Sequence, residues 1–266
     1  AGLGLAAPRP IRAASPPGHP MVLGVFPYLP ALQIGRRFGP VASAIAEICD
    51  RQVSLQTKST FSAFQQLLLQ GHYDLAVVHP FLCADAMAVQ PYWPIGRLRE
   101  DLSALIVAPI ERRLAQFADL RGEIVATPPR LSAVYQLVEH ELAHQGLAGP
   151  DGVALELFRT QTACMHAVAS GTAAACALPG FALAQHKSFE PIAMEPKFAT
   201  ASIPGIALIG HGRLGERTLG RLRETVLGWE ANPAGRRVLE NLGWSGFKPV
   251  QAGEYNAARL RPRADT

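Results

Sequence analysis

Residues 67–86 read LLLQGHYDLAVVHPFLCADA. The stretch divides into a helix end, a stop, a strand and the start of a second helix. Gly71 suits the left-handed position just past a helix. Asp74 to Val78, DLAVV, is a short apolar run of the kind a parallel sheet buries on both faces. Pro80 has no N–H to give a ladder, so His79-Pro80 ends the strand. Phe81 to Ala86 then opens a helix, with Cys83 in or near its first turn. In an open α/β sheet, ligands sit at strand carboxyl ends against helix N-termini, which makes His79 and Cys83 candidate ligand-facing residues. A packed cysteine and a loop histidine is the other reading of the same pair.

Working outward, Met21 to Phe26 is a first strand and Pro27 follows it. Phe38 to Arg51 is expected to be an amphipathic helix with Val41, Ile45 and Ile48 on one face. Gln52 to Thr57 is a second strand, and Ser59-Thr60 can cap a helix from Phe61 to Leu69. This βαβαβ run predicts parallel strands with right-handed crossovers. After Ser103 to Pro109, a further strand, the pattern restarts. A short helix spans 115–120, and strands follow at 122–127, 154–158 and 174–178. Helices are expected at 132–145 and 161–170. Ile206 to Gly210 is a strand, Leu214 to Asn232 a long helix, and Pro233 to Leu242 the last helix. No internal sequence repeat is visible.

The 266 residues suit one or two domains, and 48% of them are hydrophobic, enough for a full core. The net charge of +4 is mild and spread along the chain. No basic run is interleaved with aromatics, which argues against nucleic acid. Arg36-Arg37 and the arginines from Arg259 to Arg263 read as solvated faces or tails. No apolar stretch approaches the roughly 20 residues of a membrane helix, so stable membrane insertion is not expected. Cysteines 49, 83, 164 and 176 do not form a dense disulfide framework. Residues 1–19, rich in Ala, Gly and Pro, read as a disordered leader or linker whose start could be the remnant of a trimmed export signal.

GVFP at 24–27, the stretch at 67–86, DLRGEIVA at 119–126, MHAVASGTAAACAL at 165–178 and LGWSGFKPVQAGEYNAAR at 242–259 resemble, in order and spacing, one family. It is that of the periplasmic phosphate/phosphonate-binding proteins of ABC transporters, which are type II solute-binding proteins. The resemblance implies an α/β fold of two Rossmann-like lobes joined by two crossing strands, near 105–110 and 203–210. Lobe one would be 20–105 plus 208–256, lobe two 106–207, and 257–266 a tail. It also implies a non-enzymatic, exported, periplasmic protein that closes on a small oxyanion, phosphate-, phosphonate- or arsenite-like. Its partners would be an ABC transporter permease, a membrane sensor or a client enzyme, and no cofactor is required.

The ligand positions depart from the family. Phe61 stands where members carry a Tyr. His79-Pro80-Phe81-Leu82-Cys83 replaces Gly-Pro-x-Ser-Tyr, so Cys83 takes the place of a ligand-facing Tyr. The hydroxyl cluster opening lobe two reduces to Ser132 and Tyr135, with Arg130 nearby. An acidic position falls in Ala174-Ala175-Cys176. Ligand contacts are therefore expected from Phe61, His79, Phe81, Cys83, Arg130, Ser132, Tyr135, Gln161, Thr162 and Cys176.

Two further constellations stand out. Helix rise and strand return place Cys164 and Cys176 at similar heights near the cleft end of lobe two. They could be a disulfide, a thiol pair or unrelated buried residues. With His79, Cys83 and His166 they would form a soft site suited to copper, zinc or a thiophilic metalloid. A copper-binding protein or chaperone on the same scaffold is thus the alternative function. A cleft cysteine that senses arsenite has a precedent in relatives of the family. His140-Glu141-Leu142-Ala143-His144 spells HExxH, the zinc-hydrolase pattern. Both histidines, however, fall off the apolar stripe of their helix. No nucleophile elbow, P-loop or GxGxxG is present.

Overall fold

The computed structural model describes residues 19–180, 193–251 and 253–256. The leader, except His19, and the tail read from the sequence lie outside these residues. The chain builds two sheets. The first contains β1 (Met21–Val25), β2 (Val53–Gln56), β3 (Leu75–Val78), β4 (Tyr92–Leu98), β10 (Ala207–His211) and β11 (Phe247–Lys248), in the order β11-β4-β10-β3-β1-β2. The second contains β5 (Ala104–Pro109), β6 (Ile124–Thr127), β7 (Ala154–Leu157), β8 (Ala175–Pro179) and β9 (Met194–Ala199), in the order β7-β6-β8-β5-β9. In each, three strands run parallel, β2-β1-β3 and β7-β6-β8, and the strand returning from the other sheet is antiparallel to them.

Helices α1 (Ala31–Cys49), α2 (Phe61–Leu69) and α3 (Pro80–Val89) flank the first sheet with α6 (Glu216–Leu227) and α7 (Pro233–Leu242). Helices α4 (Ala133–His144) and α5 (Gln161–Ala169) flank the second. Helix α1 begins seven residues before the expected Phe38. Pro30 at its N-cap supplies a start signal, and Ile34, Phe38, Val41 and Ile45 then form one buried stripe through Pro40. The long helix expected over 214–232 is divided: α6 stops at Gly228, and a 3₁₀ turn covers Trp229–Ala231.

Strands β4 and β9 were not expected from the sequence, and both contain a proline. Pro94 pairs with Ile209 where the β4–β10 register shifts, and Pro196 pairs with Val107 where the β5–β9 register shifts. A proline cannot donate to the ladder, and a bulge absorbs the missing bond.

The chain leaves the first sheet through residues 99–103 and returns through 200–206, a few residues before the expected crossings. The two crossings are bonded to each other: Leu102 N–H donates to Ile203 O at 2.8 Å, and Ile203 N–H to Leu102 O at 2.9 Å. Thr200 Oγ1 accepts from Ala104 N–H, and Tyr255 Oη donates to Gly205 O at 2.6 Å. Gly205 must be glycine here, since a Cβ would meet Glu100 O at 2.1 Å.

Candidate functional site

The carboxyl ends of the parallel strands of both sheets converge on one cavity between the lobes. Lobe one contributes Phe26, Pro27 and Tyr28 after β1, Phe61 at the start of α2, and His79 after β3. Lobe two contributes Pro128, Pro129 and Ser132 to Val134 after β6, Arg159 to Gln161 after β7, and Pro179 at the end of β8. Leu102 and Ile206 of the crossings form the floor. The cavity is small, about 40 Å³. This is the strand-end, helix-start location at which open α/β sheets bind ligands.

Each helix that opens on the cavity has a local reason to start there. Thr60 Oγ1 accepts from Ala63 N–H at α2, and Thr160 Oγ1 from Ala163 N–H at α5, both at 3.1 Å. Ser132 Oγ caps α4 through Tyr135 N–H at 3.1 Å. These side-chain caps occupy one N–H each and leave earlier amides of the first turn for a ligand.

His79 is 1% exposed and caps α3. Its Nδ1 accepts from Leu82 N–H at 3.4 Å, which leaves Nε2 to carry the proton and donate to Leu131 O at 2.9 Å. Leu131 belongs to the other lobe. The imidazole is therefore an interlobe tie and presents its ring, not a free nitrogen, to the cavity.

Arg159 is the cation of the cleft. Its side chain is exposed, and among the described residues no hydrogen bond or ion pair engages it. No Asp or Glu lines the cavity. The sequence reading passed over Arg159, although its position, next to the Thr160 N-cap at the end of β7, is a usable signal.

Of the expected contacts, His79, Phe61, Ser132 and Gln161 line the cavity. The others do not. Phe81, Arg130 and Tyr135 border a separate hollow over the outer side of α4. Arg130 there donates to Tyr135 Oη, lies 5.1 Å above its ring and pairs with Glu139, while Tyr135 Oη donates to Glu139 at 2.8 Å. Thr162 lies one residue beyond the cavity lining.

The soft site is not assembled. Cys83 is fully buried in lobe one, with Sγ 3.6 Å from Met87 Sδ. Helix α3 is apolar on nearly every side, so a residue four after His79 turns into the core instead of the cleft. Cys164 and Cys176 share a second apolar cluster with Met165 and Val168 inside lobe two, and all four cysteines are free thiols. Burial pushes the thiols of Cys83 and Cys176 far up and that of Cys164 to about 12, which opposes the thiolate that metals require. His166 is exposed on the opposite face of α5. Among the described residues no three His, Cys, Asp or Glu side chains are grouped to hold a metal. His140 is half-buried, His144 exposed, and Glu141 accepts from Gln145, all away from the cleft cavity. Among the described residues no third ligand is grouped with His140 and His144.

A two-lobed α/β protein with a cleft at its strand ends defines a solute-binding protein of the type II class. Over residues 23–255 the chain matches, and belongs to, the family described as ABC transporter, phosphonate, periplasmic substrate-binding protein. The family is one of transporter substrate-binding proteins. Among curated proteins no sequence matches. Solved structures with the same fold include PhnD1 from Prochlorococcus marinus in complex with methylphosphonate, with a TM-score of 0.79, 15% identity, and 90% of this chain and 96% of that chain covered. A Xanthomonas citri protein bound to chloride gives a TM-score of 0.76 at 16% identity, covering 90% of this chain and 94% of that one. A binding-protein component of a phosphonate transporter from Pseudomonas aeruginosa gives 0.74 at 14%, covering 90% and 84%. Among the described residues no helix is long and apolar enough to cross a membrane.

Proposed function

We propose that this protein captures a small oxyanion of the phosphonate type in the interlobe cleft and hands it to an ABC transporter permease at the periplasmic face of the membrane. It uses no metal or cofactor. The observation that carries this reading is the joint position of Arg159 and the first turns of α4 and α5 in a cavity lined by no carboxylate. Helix N-termini offer free N–H groups and the positive end of the macrodipole, and Arg159 adds a full charge. A tetrahedral oxyanion matches both.

The test is thermal denaturation with methylphosphonate, inorganic phosphate, arsenite and copper at millimolar concentration. A ligand at 100 times its dissociation constant adds about 2.7 kcal/mol, which raises the melting temperature by roughly 5–10 °C for a chain of this size. Stabilisation by an oxyanion, at most about half as large in Arg159→Gln, is expected. Stabilisation by copper alone would reverse the assignment.

A further inference from the structure

The floor of the cavity is set from outside it. Its two residues, Leu102 and Ile206, each follow a residue that is held by a side chain absent from the cavity lining. Tyr255 Oη donates to Gly205 O at 2.6 Å, and Arg97 Nη1 donates to Asp101 Oδ1 at 2.7 Å. Both ties lead to one short turn. Arg97 Nε is ion-paired with Glu254 Oε1 at 2.6 Å, and Glu254 is the neighbour of Tyr255. The turn closes on itself: Gln251 N–H donates to Glu254 Oε2 at 2.9 Å, Glu254 N–H to Gln251 O, and Asn256 N–H to Gly253 O. Arg97 and Tyr255 are each 5% exposed, so both ties lie out of water. A guanidinium so placed needs a carboxylate, and a phenol needs an acceptor. Of the two counter-charges, Asp101 is half exposed and Glu254 is the inner one, with 14% of its side chain exposed.

From this arrangement we infer that the turn at Gln251 and residues 253–256 braces both crossings, and that Glu254 and Tyr255 are positioning residues for the cavity floor although neither lines the cavity. The brace is anchored in lobe one, because β11, just before the turn, pairs with β4 through Phe247 with Leu98 and Lys248 with Arg97. It acts where the crossings are packed against each other: Leu98 N–H donates to Ile206 O at 2.8 Å, and no Cβ fits between Gly205 and Glu100 O. Beyond that point the crossings hold each other only by backbone, through the paired amides of Leu102 and Ile203. Loss of either side-chain tie should therefore loosen the floor while leaving the two sheets intact. The inference does not depend on which ligand the cleft takes.

The experiment is amide hydrogen exchange on the full chain without ligand, compared with Tyr255→Phe and Glu254→Gln. Tyr255→Phe keeps the ring and removes one bond, so it should melt within about 4 °C of the parent. Glu254→Gln keeps the shape and removes the charge, with Asp101 still paired to Arg97. In Tyr255→Phe the amides of Leu98, Leu102 and Ile203 are expected to exchange about fivefold faster, the effect of one internal hydrogen bond on a local opening. In Glu254→Gln they should accelerate at least as much, since the lost bond is to a charged group. Amides of β3 and β6 should stay within about twofold of the parent in both variants, which a contribution to overall stability alone would not produce. Parent rates at Leu102 and Ile203 in both variants overturn the brace. Acceleration in one variant alone overturns the role of the other residue. If the sheet amides accelerate as much as the crossings do, the turn adds only to overall stability and the positioning role falls.

Discussion

His79 Nε2 and the carbonyl oxygen of Leu131 lie 2.9 Å apart, and they belong to opposite lobes. The bond joins the two lobes across the cleft. A typical internal hydrogen bond contributes about 1 kcal/mol net, near a fivefold change in an equilibrium. His79→Ala should therefore shift the ligand-free protein toward an open form by about that factor. Ligand affinity should fall by a similar factor, because closure is part of binding. Small-angle scattering of the ligand-free protein and a titration would show it. An unchanged radius of gyration and affinity would remove the tie from the closing mechanism.

Arg159→Gln removes the unpartnered cation from the cavity mouth. A charge-assisted bond to an anion is worth about 1.5–3 kcal/mol, so affinity for the oxyanion should drop about 10- to 150-fold. The salt dependence of binding should also weaken. Arg130→Gln, outside the cavity and already paired with Glu139, is expected to leave affinity within twofold.

At the far end of lobe one, Arg213 Nε pairs with Asp74 Oδ1 at 2.7 Å, and both side chains are buried. Arg213 also donates to Gly71 O and Tyr73 O, and Asp74 Oδ2 accepts from Val22 N–H. Arg213→Ala would strand the Asp74 carboxylate and should cost about 3–5 kcal/mol, read by urea denaturation.

His211 sits against this network, edge to face with Tyr92 at 5.0 Å. Burial, and then the Arg213 charge, hold its imidazole at about 4, only partly countered by Asp74. Its folded value thus lies below its unfolded one, near 6.5. The unfolded chain binds more protons between those values, so stability is full above about pH 6.5 and declines as pH falls toward 4. His211→Gln should flatten that slope in denaturation curves recorded across pH 4–7.

The cysteines provide a counter-test of the soft-metal reading. In the native protein a thiol reagent should modify only Cys49, the one that is not buried, with Cys83, Cys164 and Cys176 reacting on unfolding. Cys83→Ser should leave oxyanion affinity unaltered. Rapid native labelling of three or four thiols would contradict the packing.

Much of the fold was legible because β1, β3, β6 and β8 are short apolar runs with stop signals at both ends. Among the strands that escaped notice, β11 has two residues, and β4 and β9 accommodate their prolines beside a bulge of their own, at Ile95 and Lys197, against a partner strand distant in sequence. The site was harder to read. Phe61, His79, Ser132 and Gln161 follow from the rule that ligands meet strand ends and helix starts. Cys83 misled because α3 is apolar all round, and a helix without a polar face carries no phase from which to orient a side chain. Arg130 and Arg159 each stand beside a helix start. The local partners of Arg130 on α4, Tyr135 and Glu139, distinguish the occupied cation from the available one.

The strand order of the first sheet has a consequence for how the chain becomes a protein. Strand β10 lies between β3 and β4, which do not touch each other, so the first sheet remains in two pieces until residues 207–211 arrive. The second sheet draws all its strands from residues 104–199. A chain emerging N-terminus first can thus finish its second lobe while the first still waits, and pairings of such sequence separation as Asp74 with Arg213 close late. The lobe that begins the sequence is the one that completes last, and the cleft forms only with it.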